Sequence, residues 1–174
     1  MRPEVALPAL GHLARGTWAI APAESTARFR VRDKLVGTTS GSIPVRSGTV
    51  RLGAGGAVED ARVELDVAGI DTGNRHRDRD LRKPRFLAAD EHPVIVVQSG
   101  PAAARPDGWR MTATLTARGA AVPVELAVTI VEIGEVRVRV RVTGRLDRTD
   151  LGMGVPTFVV GRMIDIDVDV VLRR

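Results

Sequence analysis

The densest group of chemically capable side chains lies in the run Gly69-Ile70-Asp71-Thr72-Gly73-Asn74-Arg75-His76-Arg77-Asp78-Arg79-Asp80-Leu81. At the mouth of a cavity, Arg77 could pair a phosphate or another polar head group through its fork of donors, with Asp71, Arg75 and Asp78 beside it. The same residues could instead pin a loop by ion pairs and backbone hydrogen bonds. A lone Arg-Asp pair is more often a loop clamp than a ligand clamp. The clamp is therefore the expected role here, and equally for Arg148 and Asp150.

Other chemistries find little support. His12, His76 and His92 are scattered, with no i,i+4 pair and no HExxH motif. Asp165, Asp167 and Asp169 share the letters of a D-x-D-x-D metal loop but lack its glycine turn and terminal Glu. On a strand they would share one solvated face. Ser25, Ser40, Ser42, Ser47 and Ser99 stand in no nucleophile-elbow pattern, and there is no phosphate-cradling glycine loop. With 0 Cys, disulfides, thiolate metal sites and a Cys nucleophile are excluded. No metal, cofactor or catalytic residue is expected.

The elements that would position the polar run are strands. Phe29 and Val31 alternate with Arg28, Arg30 and Arg32, and Val63, Leu65 and Val67 with Arg62, Glu64 and Asp66. Met111, Ala113 and Leu115 alternate with threonines, Val136 to Val142 with arginines, and Ile164 to Val170 with aspartates. Strict period two means one apolar and one solvated face, the mark of antiparallel sheets. Turn signals at Ser47-Gly48, Gly53 to Gly56, Arg105 to Gly108, Gly119 and Gly134 divide the chain into about eight strands. These fall near 17–21 with 26–33, 40–52, 58–68, 93–100, 108–117, 122–131, 135–148 and 158–172. A sheet of that size tends to close, with an interior just wide enough for side chains or one ligand. Residues 1–16 read as an irregular leader and 17–174 as a single all-β, antiparallel barrel domain. Asn74 is placed to cap a short helix reaching Leu81, which Pro84 would end. A hairpin of 135–148 with 158–172 could set Arg137 opposite Asp169, Arg139 opposite Asp167 and Arg141 opposite Asp165.

At 174 residues the chain suits one domain with a full core. Its hydrophobic fraction of 44% contains only 3 Phe, 2 Trp and no Tyr, so the interior is built of Val, Ile, Leu and Ala. Such side chains suit pleated surfaces and fill volume less well than rings, so a barrel lined with them could retain a cavity. The net charge of +5 invites a nucleic-acid partner. Against this, the arginines are interleaved with acids and no aromatic platform exists for base stacking. No run is long enough to span a membrane as a helix, and the start lacks the apolar core of an export signal. A cytoplasmic location is expected.

Ile70-Asp71-Thr72-Gly73-Asn74, followed by Arg77-Asp78, Leu81 and Phe86, resembles the signature of the YceI-like polyisoprenoid-binding family. The resemblance runs in order over about 17–172. Trp18-Ala19-Ile20 with Ser25 and Phe29-Arg30-Val31 is similar to the family's first strand pair. Val36-Gly37, Gly41-Ser42-Ile43 and Gly48 resemble its glycine-marked second hairpin. Thr116-Ala117-Arg118-Gly119 with Val122-Pro123-Val124 resembles its "LTIRGVTKPV" element, and Asp147 to Met153 its "R-x-D-F-G" turn. Asp80 stands where relatives commonly carry His, and Leu87 and Leu151 where they carry Phe. The resemblance implies a lipocalin-like barrel whose long apolar cavity holds an isoprenoid-type lipid or similar amphiphile, with no catalysis.

The inward face expected from the alternation comprises Phe29, Val31, Val63, Leu65, Val67, Met111, Leu115, Leu126, Val128, Val138, Val140, Ile166 and Val168. The residues alone leave open whether that face packs solid or lines a cavity; the resemblance favours a cavity. Two alternatives belong to other classes. One is a small-molecule enzyme using the 70–92 segment at the barrel mouth. The other is an interaction protein with an unliganded core, forming a homodimer through an exposed barrel face.

Overall fold

The computed structural model describes residues 13–33, 37–153 and 160–174. Most of the expected leader (1–12), Val36 of the glycine-marked hairpin and positions 158–159 of the expected last strand lie outside the described residues. The strands are β1 (Gly16–Ile20), β2 (Thr26–Asp33), β3 (Gly37–Ile43), β4 (Val45–Leu52), β5 (Val58–Asp66) and β6 (Val94–Ser99). They continue with β7 (Ala104–Arg105), β8 (Gly108–Ala117), β9 (Ala120–Ile133), β10 (Arg137–Asp147) and β11 (Val160–Arg173). One helix, α1 (Arg75–Leu81), lies between β5 and β6.

All pairings are antiparallel, in the order β1-β4-β5-β6-β8-β9-β10-β11, and β11 pairs back onto β1 through Ala19 with Arg173 and Ile20 with Leu172. β2 continues β1 past a single turn at Pro22–Glu24, and β3 runs into β4 past Pro44. Each pair therefore acts as one bent strand, and the described residues form a closed eight-strand barrel with one short α-helix. The bends fall at prolines, which cannot donate to a ladder. At the first bend Ser25 repairs the break: its Oγ accepts from Val171 N at 3.1 Å and donates to the Ala21 carbonyl at 2.7 Å.

The second bend has a different consequence. β4 pairs with β5, but β3 diverges, and among the described residues its outer edge is met by a bridge between Ser42 and Asp71, with two backbone hydrogen bonds of 2.9 Å. The segment leading into α1 thus closes the gap in the wall at this end. Gly41 makes the fit possible: a Cβ there would lie 2.5 Å from the Phe29 ring and 2.9 Å from the Thr72 methyl.

Two expectations need correction. Ser47-Gly48 is not a turn; Gly48 lies inside β4, beside a register shift between Val45 and Ser47. The β10–β11 hairpin forms, but four residues away from the expected register: Arg141 faces Asp169 and Arg145 faces Asp165. Arg145 pairs with the facing Asp165 at 2.9 Å, whereas Arg141 and Arg139 reach diagonally across the ladder to Asp167 at 2.6 Å and Asp169 at 3.4 Å. A shift by an even number keeps every side chain on its face, so alternation of charge does not select among registers.

The buried residues form two connected groups. One gathers Leu13, Trp18, Leu52, Val58, Ala102 and Trp109 at the end holding the β4–β5 and β9–β10 turns. The other gathers Val67, Ile70, Leu87, Leu146 and Leu151 at the end holding α1. Gly48 tests this packing, because a Cβ there would overlap Ile20 Cδ1 and sit 2.8 Å from the Arg62 carbonyl. Gly48→Val is expected to lower unfolding stability in urea by about 1–3 kcal/mol. Gly100→Ala, where a Cβ meets nothing within 4 Å, should leave the midpoint unchanged.

Candidate functional site: an apolar cavity closed by a clamped loop

The barrel interior holds a cavity of about 350 Å³. It extends from Trp18 and Trp109 at one end to Leu81, Phe86, Leu87, Leu151 and Met153 at the α1 end. Its wall is mostly aliphatic. Phe29, Val31, Val63, Leu65, Met111, Leu115, Leu126, Val128, Val138, Val140, Ile166 and Val168 all line it. Val67 does not: the strand ends at Asp66, and Val67 begins a tight turn in which its N–H donates to the Pro93 carbonyl. It is 1% exposed, packed with the group of buried residues near α1. Residues that point inward by alternation, such as Val31, Val63, Ile166 and Val168, are only half-buried. An inward side chain that keeps exposed surface faces unfilled space, so this barrel is not packed solid.

Neither tryptophan at the far end is among the inward residues expected above, although Trp109 falls on the same face of its strand as Met111, Ala113 and Leu115. Each satisfies its indole N–H on a backbone carbonyl, Trp18 on Ala14 at 2.9 Å and Trp109 on Gly56 at 2.8 Å. A satisfied ring can close an apolar cavity without stranding a donor.

At the α1 end the polar run folds as a clamp around Thr72. Asp78 Oδ1 accepts from the Thr72 N–H at 2.9 Å and from its hydroxyl at 2.5 Å. Arg77 Nε donates to Thr72 Oγ1, and Nη2 to the Thr72 carbonyl, both at 2.8 Å. Asn74 caps α1 as expected, its Oδ1 accepting from Arg77 N at 3.0 Å. Asp71 Oδ1 accepts from Gly73 N at 2.8 Å, and Asp71 and Arg75 face solvent. Of the six polar candidates, only Arg77 and Arg148 line the cavity.

Arg148 is 3% exposed on the β10–β11 connection and donates from Nε to the Gly161 carbonyl at 2.8 Å. Burial pulls its pKa down from the usual arginine value. Asp150, two residues on, is exposed. Beside Arg148, Asp147 Oδ1 accepts from the Thr149 hydroxyl at 2.5 Å and from its N–H at 2.9 Å, which hold its carboxyl below the usual carboxylate value. Asp80 bonds Lys83 Nζ at 2.8 Å, which lowers its pKa, and it is not a cavity residue.

One organising residue escaped the sequence pattern. Arg118 occupies a two-residue hairpin turn at φ 46°, a left-handed conformation that favours glycine. Its guanidinium donates to the carbonyls of Leu151, Gly152 and Pro84. A single side chain thus ties the α1 segment to the β10–β11 connection across the end of the barrel. Among the described residues, no group of three His, Asp or Glu side chains is arranged to hold a metal ion.

The family model of the YceI-like domain matches residues 18–172. The chain belongs to the YceI-like family. Solved structures with this fold include BcnA of Burkholderia cenocepacia, with a TM-score of 0.74 and 20% identity over 87% of this chain and 98% of that one. A polyisoprenoid binding domain from Saccharophagus degradans, implicated in plant cell wall breakdown, has a TM-score of 0.74 and 16% identity over 92% and 99% of the two chains. The Campylobacter jejuni YceI protein has a TM-score of 0.63 and 19% identity over 67% and 73%. These YceI-like relatives share the barrel at identities where the likeness is one of fold. No match was found among curated proteins.

Two outcomes follow from the clamp. Arg118→Gly relieves the left-handed strain while removing the three donors, so amide hydrogen exchange in 82–92 and 148–153 should accelerate at least about tenfold. Unchanged exchange would show that the two segments are held by other contacts. The lowered pKa of Asp147 means that its stabilising contribution is in place above the usual value of 3.8. That contribution is lost as pH falls through the lower folded value. Asp147→Asn should therefore flatten the acid limb of a stability profile, and an unaltered limb would assign the acid sensitivity elsewhere.

Proposed function

We propose that this YceI-like barrel binds an isoprenoid-type lipid or similar long amphiphile in its cavity, for carriage, storage or sequestration, and performs no catalysis on it. The observation that carries this reading is the mostly aliphatic cavity running from the two tryptophans to α1. A flexible branched hydrocarbon matches a wall of Val, Leu and Ile, and each buried methylene would contribute about 0.8 kcal/mol before the cost of ordering the chain. The Saccharophagus degradans relative, a polyisoprenoid binding domain, points the same way.

The polar groups near α1 support a holding role. Arg77 and Asp78 spend their hydrogen bonds on Thr72, which makes them a positioned loop and not an acid–base pair aimed into the cavity. Arg77 also lines the cavity at its α1 end, where its cationic edge can meet a polar group on the outer end of the chain.

Purified protein is expected to release a long-chain lipid into organic solvent, detectable by mass spectrometry. Val168→Trp, which fills the cavity from its wall, should reduce that lipid by about tenfold, equivalent to about 1.4 kcal/mol, while thermal unfolding remains cooperative. A wild-type protein that carries no lipid and takes up none from vesicles would overturn the proposal.

A further inference from the structure

Ser99 is a polar exception in the apolar cavity wall. It is the last residue of β6, 6% exposed, and it lines the cavity. Its Oγ is buried and has no hydrogen-bond partner among the described residues. A hydroxyl removed from water without a partner is costly, and native proteins keep few of them without a reason. The backbone of Ser99 pairs with Ala61 on one side and Ala113 on the other. Both neighbours also line the cavity, so the hydroxyl stands in a row of small side chains.

The position is deep. β6 enters from the α1 side at Val94, and five residues of extended chain, about 17 Å, separate that point from Ser99. Of the cationic side chains that line the cavity, Arg77 and Arg148 belong to the segments at the α1 end. Arg28, on β2, is already paired with Asp169 at 3.5 Å. An ionised group at Ser99 would therefore sit in an apolar environment without a counter-charge, which is strongly unfavourable. A neutral oxygen would not. The serine hydroxyl both donates and accepts, so it can serve an alcohol or a carbonyl.

We propose that Ser99 is a polar subsite for an uncharged hydroxyl or carbonyl on the buried end of the lipid. The occupant is then a chain that carries a neutral oxygen function into the barrel, not a bare hydrocarbon end. This rests on the lipid-binding reading above and adds to it the chemistry and direction of the inserted end.

The test compares a twenty-carbon isoprenoid alcohol with the saturated hydrocarbon of the same branched skeleton, each titrated into delipidated wild-type protein and Ser99→Ala. Wild type should bind the alcohol about fivefold to tenfold more tightly than the hydrocarbon, the range expected of one buried hydrogen bond. Ser99→Ala should lose that preference and keep its affinity for the hydrocarbon. The unliganded variant should also melt at a higher temperature than wild type, because the unpartnered hydroxyl is gone. Equal binding of the two probes by wild type, a preference that survives Ser99→Ala, or a lower melting temperature of the variant would each overturn the subsite and leave the carrier reading standing. Failure of wild type to bind either probe would overturn both.

Discussion

Closure of the sheet is the constraint on which everything else rests. An eight-strand wall encloses space only if its first strand finds its last, and here that seam is short: Ala19 and Ile20 of β1 meet Arg173 and Leu172 of β11. The seam continues onto β2 only because the chain bends at Pro22–Glu24, and Ser25 supplies the hydrogen bonds that the bend removes. Without this repair, the N–H of Val171 would lose its acceptor at the junction of two sheet segments. Among the described residues, the bend at Pro44 leaves β3 without a strand neighbour on one side, and the Thr72 clamp holds the covering segment in place. Closure and the positioning of the polar loop are thus a single problem, solved by two interrupted strands.

The interior follows from composition as much as from topology. Eight strands set a nearly fixed internal diameter. Large rings would fill it, but this chain has 3 Phe and 2 Trp. Both tryptophans are placed at the end away from α1, so the middle of the barrel is left to Val, Leu, Ile and Ala. The cavity is what remains when small branched side chains line a tube of that width. Emptiness costs dispersion energy, and an apolar occupant restores it.

Much of this was legible in the sequence because alternation reports faces directly. Strand positions, the inward set apart from Val67, and the Asn74 cap on α1 all follow from local rules. Register was not legible, because arginine and aspartate at every second position offer ion pairs in several alignments; the spacing set by the connection after Asp147 decides between them. Val67 was misplaced because an apolar residue after a strand looks the same whether the strand continues or turns. Alternation does put Trp109 and Ser99 on the inward faces of their strands. The carbonyl that the indole reaches and the want of a partner for the hydroxyl among the described residues are not written locally, and neither are the partners of Arg118 more than thirty residues away.

The placement of the indoles has an optical consequence. The chain contains no Tyr, so its near-ultraviolet emission arises almost wholly from its 2 Trp. Both rings line the far end of the cavity and have their N–H groups bonded to backbone carbonyls. Whatever enters or leaves the barrel changes the polarity and quenching around both fluorophores together, with no surface tryptophan to dilute the signal. The floor of the cavity is also a native, label-free gauge of its own filling.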